Sequence, residues 1–238
     1  MKKNKIMEKE LFSSVEQFYN VVSKDYNKFV HRAVPRYPEM LWVIFQYVPK
    51  DLKPKRILEL GCGTGNLSEL IVKTYPKAEK ILVDISEEVI SQCKSRLENN
   101  DRIEYCQADI NELDFPAESF DLIVSSITIH HLKHHEKELL FRKVFSWLTN
   151  EGVFTYGDQF AGETTEIYDN HINLWHQFVL SSGCTEDEWE LWMKHQDEHD
   201  YHATVTDQVA WLKKANFSSI DVTWRYLLWT VITARKSC

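Results

Sequence analysis

Residues 56–66 read Arg-Ile-Leu-Glu-Leu-Gly-Cys-Gly-Thr-Gly-Asn, and no other stretch narrows the choice of fold as much. The apolar run from Arg56 to Leu60 has the length and composition of a buried strand. Glycines then alternate at 61, 63 and 65. Leu67, Leu70, Ile71 and Tyr75 come next at helical spacing. The pattern is therefore strand, tight turn, helix N-terminus. Glycine permits positive φ and leaves the backbone bare to a close ligand. The first turn of the helix offers N–H groups with no partner inside the helix, which suits a polar or anionic ligand. A purely structural left-handed turn would also call for glycine, so the function of the turn rests on the motifs further along the chain.

Length and charge set the outer bounds. The 238 residues, 43% hydrophobic, suit one α/β domain with an insertion, long enough to bury a sizeable core. A net charge of -8 disfavours nucleic acid as a partner, because phosphate backbones demand a basic surface. No apolar run approaches the ~18 residues of a membrane span. Met1 to Glu10 is charged and lacks the apolar core of a secretion signal. The five cysteines, 62, 93, 106, 184 and 238, have no paired spacing, which suggests reduced thiols and a cytoplasmic location. Cys62 sits inside the glycine turn, where we expect a small packing residue and not a nucleophile.

Taken in order, residues 1–12 form a polar lead. Phe12, Val15, Phe18, Tyr19 and Val22 predict an amphipathic helix. Pro38 predicts the first turn of a second helix running to about Val48, with Met40, Leu41, Ile44, Phe45 and Val48 as its apolar stripe. Further strands are expected at Lys80–Asp84, Arg102–Gln107, Phe120–Ser126 and Val153–Gly157. Leu139, Leu140, Val144 and Leu148 predict a core-facing stripe on a helix ended by Asn150-Glu151-Gly152. Between Glu163 and Asp200 ten acids face the single Lys194, and Tyr168, Trp175, Phe178, Trp189 and Trp192 interleave at helical spacing. Two or more inserted helices are expected there. A last helix over Thr204–Ala215 and strands over Ile220–Tyr226 and Leu228–Ala234 close the chain.

Two carboxylates stand at strand ends. Asp84 lies 19 residues after Gly65, where it can accept hydrogen bonds from both hydroxyls of a ribose, as in dinucleotide-binding folds. Ser86, followed by Glu87 and Glu88, can cap the next helix in its stead. Asp109 follows the third strand.

A dinucleotide turn would read G-x-G-x-x-G. Here the spacing is G-x-G-x-G, with Glu59 two residues before the first glycine. This resembles motif I of the class I S-adenosylmethionine (SAM) methyltransferases. The resemblance implies SAM as cofactor and an α/β, Rossmann-like seven-stranded sheet with helices on both faces, a helical cap over 1–50, a SAM-binding core over 51–160, a helical insertion over 161–203 and a closing helix and two strands over 204–238. It implies that Glu59, Gly61, Cys62, Gly63 and Gly65 form the cofactor turn and that Asp84 holds the ribose with Ile85 against the adenine. Asp109 would accept from the adenine amino group beside the Ile110 backbone N–H, and Ser125 and Ser126 would lie near the methionine moiety. Ala33-Val34-Pro35-Arg36-Tyr37-Pro38 is similar to a segment of the tRNA-uridine carboxymethyl SAM enzymes and their small-molecule relatives, in which the residue matching Tyr37 touches the cofactor.

For the chemistry, an O–H or N–H acceptor needs a base, for which Asp158, His131 and His171 are the candidates, whereas a carboxylate acceptor needs only positioning. His130-His131-Leu132 resembles the strand-four end of small-molecule and quinone methyltransferases. His171 and His176 share a predicted helix with Trp175 that would roof the substrate pocket. His195, His199 and His202, spaced i, i+4, i+7, could ligate a transition metal. We read them as a solvated acidic face and expect no metal. The expected activity is methyl transfer to an O or N atom of a small molecule, neutral or cationic, with no membrane partner and with homodimerisation left open. The alternatives are a tRNA-modifying SAM enzyme and a SAM-binding protein without catalysis.

Overall fold

The computed structural model describes residues 27, 29–97 and 100–237. The polar lead, the helix expected over residues 12–22, and Cys238 lie outside the described residues.

A seven-stranded sheet carries the molecule, in the order β3-β2-β1-β4-β5-β7-β6. Strands β1 (Arg56–Leu60), β2 (Glu79–Asp84), β3 (Ile103–Gln107), β4 (Phe120–Ser126) and β5 (Leu148–Gln159) pair in parallel. The last two, β6 (Ser219–Tyr226) and β7 (Trp229–Arg235), form a hairpin whose β7 runs antiparallel to β5. The chain steps outward from β1 to β3, then returns to lay β4 on the other side of β1. That reversal opens a crevice at the carboxyl ends of β1 and β4, where α/β sheets bind ligands. The central strands are buried on both faces and read as nearly unbroken apolar runs, as parallel sheets do.

Helices cover both faces. On one side α1 (Tyr37–Gln46) and α2 (Asn66–Thr74) pack with α5 (Thr165–Ser181) and α6 (Glu186–His199) around Met40, Ile44, Ile71, Trp175 and Trp229. On the other, α4 (His134–Trp147) and α7 (Val205–Lys214) pack on Phe154, Tyr156 and Leu212; α3 (Glu87–Arg96) lies beside α2 on the first face and closes over Leu82 of β2 through Ile90 and Cys93. Pro38 stands in the first turn of α1, as its fixed φ and missing N–H favour. Ser86 caps α3 by accepting from Val89 N–H, with Glu87 and Glu88 in the first turn.

Two local expectations are corrected. Leu139 is exposed; the buried stripe of α4 is Leu140, Phe141, Val144 and Trp147, one position further round the helix. The helix also ends earlier, at Trp147, because Leu148 already pairs with Phe120 as the start of β5, and the left-handed residue of the next turn is Glu151, not Gly152.

Candidate active site

The carboxyl ends of β1, β2 and β4 border a cleft of about 230 Å³. At one end lie the glycine turn, Asp84, Ile85, Asp109, Ile110 and Asn111; at the other lie Tyr37, Ser126, Ile127, Thr128, His131, Leu132 and Glu136. Gly61, Gly63 and Gly65 all have positive φ. A side chain at Gly61 would strike Thr128, whose Oγ1 stands where a Cβ would go. At Gly63 the same position is open space facing the cleft. Gly65 is turned away, toward Cys93 and Arg96, and caps α2. Cys62 is buried in the turn as a packing residue.

Asp84 is held rigidly. Its Oδ2 accepts from Gly63 N–H at 2.9 Å and its Oδ1 from Ser86 N–H at 3.1 Å. Burial raises its proton affinity and these backbone donors oppose the rise. Asp109 accepts from Asn111 N–H at 2.8 Å, so it nucleates the short turn Ile110–Glu112 while its carboxylate faces the cleft. Glu59 is 1% exposed, with Oε2 accepting from Ser68 Oγ at 2.6 Å and Oε1 without a hydrogen-bond partner. Burial pushes its carboxyl well above the ordinary carboxylate range. Tyr37 lines the cleft from α1, and burial raises its hydroxyl's pKa against hydrogen bonds with Asn66 and Ser126. Asn27 spans the turn by accepting from Thr64 Oγ1 at 2.6 Å and Asn66 Nδ2 at 2.9 Å. Ser125 does not reach the cleft: its hydroxyl is spent inside the sheet on Leu60 O, at 2.7 Å.

At the far end, Ile127 adopts φ +52°, a conformation costly for a β-branched residue, and turns the chain from β4 into the helical turn Ile129–His131. That turn is fixed by Asp158 at the tip of β5, which accepts from His130 N–H at 3.0 Å and faces His130 Nδ1 at 2.6 Å. Burial favours a protonated Asp158, but the His130 ring holds it below its ordinary value. Asp158, a candidate base in the sequence reading, is thus a buried strut outside the cleft lining. His171 is likewise misplaced by the sequence reading. It stands on α5 against Arg225, 3.2 Å from Nη2, and no described residue of α5 or α6 lines the cleft. His131 does line it, with Nδ1 2.9 Å from Asp200 Oδ1. The solvated face expected for His195 and His202 is also overturned. Their side chains are 3% and 5% exposed and both face Asp200, because α6 ends at His199 and the chain folds back beneath the β4 turn. Lys137 sews this fold-back down from below, donating to Leu132 O and, at 2.5 Å, to Tyr201 O.

The chemistry of the cleft fits an adenosyl ligand with an amino-acid tail. It offers a ribose-height carboxylate, a second carboxylate beyond it, an unpartnered buried acceptor in Glu59, and a backbone turn without side chains. Residues 57–152, which build β1 to the start of β5 and most of this cleft, match the family model described as a methyltransferase domain. Residues 57–152 form a methyltransferase domain. Full-length relatives of the domain include the carboxy-S-adenosyl-L-methionine synthase of Nautilia profundicola, 23% identical over 94% of this chain and 93% of its own. The protein of the same name from a Nitratiruptor species is 22% identical over 99% of each. Among solved structures, Haemonchus contortus phosphoethanolamine N-methyltransferase 2, in complex with phosphomonomethylethanolamine and S-adenosylhomocysteine, superposes with TM-score 0.68 at 16% identity, covering 93% of this chain and 59% of that one. A SAM-dependent methyltransferase from Mesorhizobium loti gives 0.60 at 21%, covering 83% and 98%. The likeness to these solved structures is one of fold.

Proposed function

We propose that this enzyme transfers the methyl group of SAM to an O or N atom of a neutral or cationic small molecule seated at the His131 end of the cleft. The observation that carries the reading is the lining itself. The cleft runs without interruption from Asp84 and Asp109 to His131, and its charged walls are Glu59, Asp84, Asp109 and Glu136, with no Lys or Arg among the described residues. Such walls favour a cation or a neutral molecule and repel phosphate, which argues against a nucleic-acid substrate.

When bound, SAM supplies an electrophilic methyl carbon on a sulfonium. Asp84 and Asp109 would hold ribose and adenine, and Glu59 Oε1 would receive the methionine ammonium. Tyr37, Ile127 and Leu132 exclude water from the reacting end and fix the acceptor's approach. His131 is the imidazole at that end. A proton taken from the acceptor would be stabilised on it by the Asp200 carboxylate 2.9 Å away.

A second reading is favoured by the full-length match to the carboxy-SAM synthases, whose name describes addition of a carboxyl group to SAM. It fits the lining less well, since a carboxylated cofactor would call for a cation beside it, and Lys194, the insertion's lone lysine, is exposed and outside the cleft. Incubation of the protein with methyl-labelled SAM and a metabolite extract, followed by mass spectrometry, separates the two. Label in a new product together with S-adenosylhomocysteine is the expected result. SAM made heavier by one carbon dioxide, with no label transferred, would overturn it in favour of the second reading.

A further inference from the structure

Behind His131 the structure gathers more titratable side chains than methyl transfer calls for. Asp200 is the centre. Its Oδ1 lies 2.9 Å from His131 Nδ1, 3.7 Å from His130 Nε2 and 3.9 Å from His195 Nε2, and its Oδ2 lies 3.6 Å from His202 Nε2. These side chains come from three places: the turn after β4, the end of α6, and the segment leading to α7. Four of the five are at most 5% exposed and His131 is 11% exposed.

The outer contacts decide which face each ring turns inward. His130 Nδ1 sits 2.6 Å from Asp158, a carboxylate that also accepts from two backbone N–H groups, so Nδ1 carries the proton and donates it. The opposite nitrogen of a neutral His130 is then a lone pair aimed at an anionic oxygen. His202 Nδ1 lies 2.6 Å from the Tyr168 hydroxyl, with Nε2 turned inward toward Asp200. Acceptor facing acceptor in a buried space is repulsive unless a cation lies between them. Lys137 is spent on backbone carbonyls and answers only one of the two buried carboxylates, Asp158 and Asp200. A carboxylate behind a histidine whose other nitrogen faces a common centre is the outer-shell arrangement of metal-ligating histidines.

The geometry points to a binding site for one divalent first-row transition ion, held by His130 Nε2, His131 Nδ1 and Asp200, with His195 as the fourth side chain in reach. The nitrogen and oxygen ligand atoms of the first three lie within 4.8 Å of one another. Two imidazoles and one carboxylate leave coordination positions open, a donor set suited to iron(II), zinc or manganese and not to calcium. His202 Nε2 stands 3.6 Å from the far oxygen of Asp200, and the Tyr168 hydroxyl holds the other side of the His202 ring. The site shares His131 with the cleft, but it does not rest on the methyl-transfer reading.

The test uses the full chain, stripped with a chelator and then dialysed against zinc or cobalt(II), with no SAM or substrate present. Metal content by mass spectrometry and the visible absorption of bound cobalt are the readouts, so failure here leaves the methyltransferase assignment untouched. About one equivalent of metal is expected, lost in His131→Ala and Asp200→Asn. It should be weakened about 10–100-fold in Asp158→Asn, which loosens only the outer support of His130, and unchanged in His176→Ala, whose ring faces Glu186 on the surface. Circular dichroism identifies any variant that fails to fold; His131, being the least buried, keeps the comparison available. Absence of stoichiometric uptake by the wild-type protein, or equal uptake by folded His131→Ala, would overturn the proposal.

Discussion

Glu59 holds its carboxyl among apolar neighbours with one oxygen on Ser68 and the other facing the cleft. Burial raises its pKa, so in the ligand-free protein the acid binds its proton more tightly than in the unfolded chain. Stability from this group is therefore lost as pH rises above the ordinary carboxylate value, where a buried charge must form. A bound ammonium reverses the preference, so SAM uptake should release a proton at mildly acidic pH. Calorimetry in buffers of different ionisation enthalpy should show this release in the wild type and not in Glu59→Gln. Two residues on, Gly61→Ala would place a methyl against Thr128 at positive φ. We expect a loss of about 1–3 kcal/mol in urea unfolding, with weaker cofactor binding. These residues were legible in the sequence because Glu59 and the glycines belong to one contiguous strand-and-turn motif. The Asp158–His130 strut was not, since its partners are 28 positions apart and Asp158 read as a candidate base until the sheet brought the two together.

At the scale of elements, the strands were readable from apolar runs with a carboxylate or serine at the end, and β4 falls where the sequence places it. The start of β5 was hidden because Leu148 reads equally well as the last turn of a helix, and its pairing with Phe120 is a long-range choice. The inserted helices were expected, but not their position. An alternation of aromatics and acids marks an amphipathic helix without saying what its apolar face meets. That face meets the sheet and the segment before α1: Trp175 is fully buried, edge-on to Trp189 and Trp229, and donates from Nε1 to Ala33 O at 2.6 Å. Trp175→Ala should cost about 3–5 kcal/mol in chemical denaturation. Because Ala33 precedes Tyr37 by one turn of chain, the variant should also weaken cofactor binding. A Trp175→Phe variant, keeping the ring and losing the hydrogen bond, should recover most of the stability.

Over the whole molecule, the order β3-β2-β1-β4-β5-β7-β6 puts the glycine turn, Asp84 and Asp109 at successive strand tips on one side of the reversal and the His131 turn on the other. One cleft therefore joins a cofactor end to an acceptor end, and no helix among the described residues is long and apolar enough to cross a membrane. The account stands on Asp84 as the ribose acceptor, poised by Gly63 and Ser86. Titration of S-adenosylhomocysteine into wild type and Asp84→Ala by calorimetry tests it most directly. Saturable one-to-one binding by the wild type, weakened at least about tenfold, or roughly 1.4 kcal/mol, in a folded Asp84→Ala, is the result the account predicts. No binding by the wild type, or equal affinity in the variant, would contradict it.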